Sequence, residues 1–239
     1  MMASTSTTVP QKPNGLATYL SILWAPGAAF DQLRETPTWG WAALAGIILM
    51  LIATFISMPE IIKVAHIAQD ARLATMSADQ RANAQQAMAS AAGIIPIFAV
   101  VGVVVVTWLI WVISAVVYAI GGALSGAGAK FSLAWVVAVN LGIIAFVGAL
   151  VNAIILAARG PDSISSALDQ YTLPSLGMLF HDNVKLATFL NTYNIDYIWL
   201  YIVAVIGLER TLLMKRGAAI ATVVIYSLIG AGIATAFAR

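Results

Sequence analysis

The chain has no cysteine, which removes structural disulfides, thiolate metal sites and cysteine nucleophiles from consideration. Charge is nearly as scarce: Asp, Glu, Lys and Arg together make up 9% of the 239 residues, and His66 and His181 are the only histidines. The formal charge of +2 comes from scattered Lys and Arg with no basic stripe between aromatics, so nucleic acid is not an expected partner. What is present is apolar. At 61% hydrophobic residues and a mean hydropathy of +0.93, the chain has too little polar surface to cover a soluble globule of its length. The composition is that of an all-α integral membrane protein.

The few charges are also unevenly spread. None falls between Ala82 and Ala129, between Phe131 and Ala158, between Thr36 and Pro59, or between Gly217 and Ala238. Each of these runs reaches the ~20 residues that a helix needs to cross hydrocarbon. A fifth, shorter run, Tyr197 to Leu208, is pinned between Asp196 and Glu209. The reading is therefore five transmembrane helices, at about 39–58, 93–120, 131–157, 193–208 and 217–237, in one membrane domain over 16–237. Ahead of it, residues 1–15 form a polar Ser/Thr/Pro-rich tail. This tail has no apolar core of the kind a cleaved signal peptide carries, so the first span is expected to stay as an anchor.

The segments between spans carry their own signals. Leu16 to Glu35 is broken at Pro26-Gly27 and ends on Asp31, Arg34 and Glu35, which predicts short helices in the headgroup region with Tyr19 and Trp24 as interfacial anchors. Pro59 to Ala92 mixes Glu60, Lys63, His66, Asp70, Arg72, Asp79 and Arg81 with apolar residues and reads as a helical hairpin outside the bilayer core. Within it, Ser77-Ala78-Asp79-Gln80 fits a capping box, predicting a new helix there. That helix runs on toward Gly93, with Pro96 as a kink. Gly121 to Lys130 is a glycine-rich turn; its Lys does not follow a Gly and no strand precedes it, so it is not a phosphate loop. Arg159 to Tyr193 is a second excursion, with helix starts expected at Asp162 and Asp182.

Basic residues divide evenly between the two sides, and the compact cluster of Arg210, Lys215 and Arg216 decides the orientation. It places the N-terminus in the cytoplasm and the C-terminus outside. Anionic lipid headgroups are the expected neighbours of that cluster, at about 1 kcal/mol per basic residue near such a surface.

Leu23-Trp24-Ala25-Pro26 with Phe30 and Leu33, leading into Trp39, resembles the approach segment of Yip1-domain membrane proteins. Leu190-Asn191 through Ile198-Trp199, Ile206-Gly207-Leu208, a short basic turn and Gly217-Ala218-Ala219 resemble that family's last two spans. The resemblance covers roughly residues 20 to 237. It implies a polytopic helical protein with a cytoplasmic N-terminus, and a role in membrane organisation or in trafficking-type partner binding. The tyrosine-glycine-proline motif of eukaryotic members is replaced here by Trp24-Ala25-Pro26-Gly27, which points away from GTPase binding, and the Ala-rich, compact, cysteine-free chain looks more like a bacterial-type member, in an inner membrane.

No catalytic motif, metal site or cofactor motif stands out, and no enzymatic activity or cofactor is expected. His66 and Asp70, four residues apart, share a helix face that reads as solvated. Gly122 and Gly126 form a GxxxG pair, and Ser227/Ala231 with Gly230/Ala234 line a small-residue face, suited to packing within the chain and leaving a homo-oligomer open. Asn140 and Asn152 lie inside the third span, where an unpaired amide is costly, so each should find a partner across a helix interface.

Asp196 is the sharpest case. It precedes Arg210 by 14 residues, about 21 Å of helix, less than the ~30 Å of hydrocarbon. A spanning helix must draw either Asp196 or the Glu209-Arg210 pair below the headgroups. The expectation is that Asp196 faces the bundle and contacts Asn152 or Arg159, with Glu209, Arg210, Lys215 and Arg216 at the inner boundary. The alternative is a shortened span with Asp196 in the wet interface. Two functions follow: a non-enzymatic membrane organiser that binds lipid or a protein partner, or a small transporter or lipid-handling protein with a polar cavity at Asn140, Asn152, Asp196 and Arg159.

Overall fold

A computed structural model describes residues 14–91, 94–128, 130–180 and 182–238, with only the backbone described at 88–91 and 95. The tail up to residue 13, with Lys12, and Gly93, His181 and Arg239 lie outside the described residues. Everything regular is helical, with no strand among the described residues.

Short polar side chains and prolines set most helix starts. Asn14 opens α1 (Gly15–Ser21) by accepting from the Leu16 amide at 3.1 Å, and Pro26 opens α2 (Pro26–Glu35) at a position where its missing N–H is not needed. The two are the short helices expected between 16 and 35, joined by Thr18 Oγ1 donating to Gln32 Oε1 at 3.0 Å. Tyr19 differs from expectation: it is fully buried, its hydroxyl aimed at Gly46, so it belongs to the core, while Trp24 is 70% exposed.

Helix α3 (Gly40–Ile56) stops because Pro59 cannot donate to its ladder. The Ser57 amide and hydroxyl still bond the Ala53 carbonyl, and α4 (Met58–Ala74) leaves at 66°. After Thr75–Ser77, α5 (Ala78–Ala91) begins at the predicted capping box. There the Gln80 amide reaches Ser77 Oγ at 3.4 Å and the Ser77 amide reaches Gln80 Oε1 at 3.2 Å.

Helix α6 (Ile95–Leu124) carries Pro96 at its second position, so this proline starts a helix instead of kinking one. The helix also runs four residues into the glycine-rich stretch, leaving Gly126 in the following turn at φ +74°, so Gly122 and Gly126 share no helical face. The glycine that does bring helices together is Gly121, whose α-carbon faces the Thr222 side chain.

Helix α7 (Phe131–Arg159) ends at Gly160, whose φ of +76° suits a residue without a Cβ. Three 3-10 turns follow, at Pro161–Ser163, Ala167–Gln170 and Leu176–Leu179, so the helix expected at Asp162 is only a single turn. Helix α8 (Val184–Asn191) is capped by Asn183, which accepts from Leu186, one residue beyond the expected Asp182. Asn194 caps α9 (Ile195–Thr211) in the same way, and the two helices meet at 46°. Helix α10 (Arg216–Phe237) completes the bundle, burying Ser227 and Ala231 of its small-residue face while Gly230 stays exposed and Ala234 half-buried.

Three helices, α6, α7 and α10, are long and apolar enough to cross a membrane, or up to five if each bent pair, α3–α4 and α8–α9, forms one span. These are the helices of a membrane-embedded protein. Helix α7 is the centre of the bundle, packed against α3, α6 and α9, with Val137, Val139 and Asn140 all but inaccessible. It runs parallel to α3, pairing Asn140 with Thr38 and Phe146 with Gly46, and antiparallel to α9, where Gly148 meets Asp196. One end of the bundle therefore carries α1, α2, the Ser125 turn and Lys215. The other carries α4, the 160–183 excursion and the start of α9.

Candidate functional site

The polar residues expected inside the bundle do not converge on one cavity. Asn140 sits toward the α1–α2 end, where its Nδ2 donates to the carbonyls of Thr38 at 2.8 Å and Val136 at 2.9 Å. Its partner is thus the chain just ahead of α3, a position sequence spacing does not reveal. Beside it, Trp39, Trp108, Trp111 and Trp135 form a continuous aromatic cluster, with Trp108 and Trp135 stacked at 5.7 Å and the other pairs edge-on. Trp39 and Trp135 also wall a shallow groove with Pro37, Val112, Phe131 and Ser132. Offset and edge-on pairs add about 0.5–1.5 kcal/mol each beyond area burial, so the cluster is foremost a joint between α3, α6 and α7.

Asn152, three turns farther along α7, is fully engaged elsewhere. It donates to the Gln170 carbonyl at 3.0 Å and accepts from the Thr172 amide at 3.0 Å and hydroxyl at 2.7 Å. The amide therefore pins the 160s excursion onto the bundle. That excursion is internally braced by Asp169, which accepts from the Ser165 amide and hydroxyl and from the Ser166 amide at 2.7–2.9 Å. Desolvation alone would raise the Asp169 pKa, but these Ser165 and Ser166 hydrogen bonds prevail and hold it below its ordinary value. Burial pushes the nearby Tyr171 phenol up.

Asp196 faces the bundle as expected, but against a different residue. A methyl group added at Gly148 would fall on its Oδ2, so the carboxylate occupies the space that this glycine leaves on α7. Its Oδ1 is buried and without a hydrogen-bond partner. No hydrogen bond or ion pair joins Asp196 to Asn152 or Arg159 among the described residues, and Arg159 is exposed at the end of α7. Asp196 is itself only half-buried, in the first turn of α9. Tyr197 and Tyr201 are within electrostatic reach of Asp196, and Tyr226 of α10 is within reach of both. Tyr226 in turn accepts from Ser114 Oγ of α6 at 3.0 Å and packs on Tyr118 with ring centroids 5.5 Å apart.

At the opposite end, the basic cluster is divided. Arg210 forms an ion pair with Asp31 at 3.4 Å, its carbonyl accepts from Arg34, and Thr211 Oγ1 donates to the Phe30 carbonyl. The Phe30 ring lies against Gly207, where an added methyl would approach it to 3.0 Å. Arg210 therefore clamps α2 to α9, Glu209 is half-buried beside it, and Lys215 and Arg216 remain exposed.

Two features were not anticipated. The tyrosine array had a sequence signal that went unused: Tyr193, Tyr197 and Tyr201 recur every four residues along one helical stripe. Glu60, expected on a solvated hairpin, is 3% exposed with Oε2 unpartnered, and no spacing rule announces that burial. His66 and Asp70 are both exposed on α4, and no group of three metal-ligating side chains occurs among the described residues. In comparisons with family models, curated proteins and solved structures, nothing matches the chain.

Proposed function

We propose that the protein is a five-span, non-enzymatic membrane protein of Yip1-like kind that organises membrane or binds lipid and partner protein. On this reading each bent helix pair makes one crossing, the N-terminus is in the cytoplasm and the C-terminus outside, and a bacterial cytoplasmic membrane is the setting. The observation that carries the proposal is the α2–α9 clamp. Phe30 against Gly207, Thr211 on the Phe30 carbonyl and Arg210 on Asp31 hold the amphipathic hairpin across one end of the bundle. Trp24 and Trp41 stand exposed at that end, which also carries exposed Lys215 and Arg216. Exposed indoles and cations at one end of a bundle suit the headgroup region. Because Arg210 is already paired, the attraction for anionic headgroups rests on Lys215 and Arg216.

Native mass spectrometry from lipid nanodiscs tests this reading. Retained anionic lipid that is lost in a Lys215→Ala, Arg216→Ala variant supports it, whereas an unchanged lipid complement removes the lipid-binding role. The second reading, a transporter or lipid-handling protein with a polar cavity between the third and fourth spans, is favoured by one observation, the unpartnered Oδ1 of Asp196.

A further inference from the structure

We infer that residues 173–180 form a re-entrant loop whose Leu176, Leu179 and Phe180 side chains contact the acyl chains of the outer leaflet. The inference rests on the reading of α8–α9 as one crossing, and it moves part of the excursion expected outside the membrane into the hydrocarbon.

Helix rise sets the depth. Ile195 precedes Arg210 by 15 residues, about 22 Å of α9. With Arg210 at the inner boundary, the start of α9 therefore stops ~8 Å or more short of the far side of a ~30 Å hydrocarbon layer, and tilt only deepens it. Helix α7 agrees: Gly148, which meets Asp196, lies 11 residues before Arg159, so α7 runs on for about 16 Å beyond this level. The excursion comes back down to it. Gln170 and Thr172 hang on Asn152, one turn farther out than Gly148. Next, the Pro174 carbonyl accepts from the Ile195 amide at 3.2 Å and Ser175 Oγ donates to Asn191 Oδ1. Gly177 then lies so close to α8 that an added methyl would overlap Asn191 and the Ala187 carbonyl.

The chemistry of the loop suits that depth. Residues 170–180 carry no Asp, Glu, Lys or Arg, while Asp162, Asp169, Asp182 and Lys185 flank them. Leu176 is 60% exposed, Leu179 74% and Phe180 41%. Ile195, bonded to Pro174, and Ile198 are exposed too, so apolar exposure continues from the loop onto α9. Exposed apolar groups of this size mark an interaction surface, and its depth assigns this one to lipid. Non-helical backbone at such depth must satisfy its polar groups against protein. Here the amides of Met178, Phe180 and Asn183 bond the carbonyls of Ser175, Gly177 and Phe180, and Pro174 has no amide N–H to satisfy.

The test is spin-label depth in nanodiscs, with single cysteines placed in the full cysteine-free chain at Asp162, Leu176, Leu179, Asp182 and Ile198, all exposed and so replaceable without disturbing the packing. Nitroxides at 176 and 179 should collide with oxygen in preference to a water-soluble nickel chelate, as one at 198 does, and those at 162 and 182 should show the reverse. A preference for oxygen at 176 and 179 several-fold above that at 182 supports the loop. Nickel access at 176 and 179 equal to that at 162, with 198 still shielded, leaves the α9 span in place and overturns the loop, giving Leu176 and Leu179 to water or a soluble partner. Shielding of 176 and 179 from both reagents would mean that protein covers them and overturns it as well. Nickel access at 198 would remove the span itself, and the loop with it.

Discussion

Asn140 and Thr38, 102 residues apart, are joined by a 2.8 Å hydrogen bond from the Asn140 amide to the Thr38 carbonyl. The bond fixes where the chain enters α3 against the most buried stretch of α7. Asn140→Leu leaves that carbonyl without its donor at a site where Asn140 itself is 1% exposed. The expected loss is about 1–2 kcal/mol, read as a lower unfolding midpoint in detergent.

Gly46 makes a second, steric prediction. A methyl there would overlap the Phe146 ring and come within 3.0 Å of the Tyr19 hydroxyl. Gly46→Ala should destabilise the bundle by about 1–3 kcal/mol through overpacking, and Phe146→Leu in the same chain should recover part of that loss. Additive losses in the double variant would show that the two residues do not meet.

Leu213 carries the opposite expectation. It has φ +57° in the turn between α9 and α10, where the Met214 amide bonds back to the Leu208 carbonyl, and its side chain is 63% exposed. A left-handed residue with a Cβ costs about 1–2 kcal/mol relative to glycine. Leu213→Gly should therefore raise the unfolding midpoint, one of few substitutions in this chain expected to do so.

Asp169 predicts a local pH response. Its pKa is lowered in the folded excursion: desolvation pushes it up, but the hydrogen bonds from Ser165 and Ser166 outweigh that. The brace is therefore present above the ordinary aspartate value of 3.8 and is lost as pH falls through the lower folded value. Amide exchange over residues 163–172 should accelerate on acidification into that range while α7 stays protected. Asp169→Asn should show the faster exchange already at neutral pH.

These particular residues mark where sequence was readable. Helix positions followed from charge-free runs and from local chemistry, as at the Ser77–Gln80 box, because a helix is decided by residues three and four positions apart. Pro96 and Asp182 were misplaced by small shifts in what each residue does at a helix end. The site was less legible because its contacts are long-range. Asn140 and Asn152 were recognised as needing partners, but those partners lie in loops 102 and about 20 residues away. Asp196 was expected to face the bundle, yet it was the absence of a side chain at Gly148 that decided its seat. Glu60 gave no signal, since the elements packed on α4 include the 3-10 turns at Pro161–Ser163 and Ala167–Gln170, far along the chain.

The central claim is that α3–α4 and α8–α9 each cross the membrane once, giving five spans. The chain has no cysteine, so single cysteines at Glu35, Thr75, Ser125, Asp182 and Lys215 can be labelled in intact cells without background. The account predicts strict alternation: positions 75 and 182 react with an impermeant maleimide from outside, and 35, 125 and 215 react only after the membrane is opened. Labelling of 35 and 75 from the same side, or of 182 and 215 from the same side, would show that a bent pair does not cross and would contradict it.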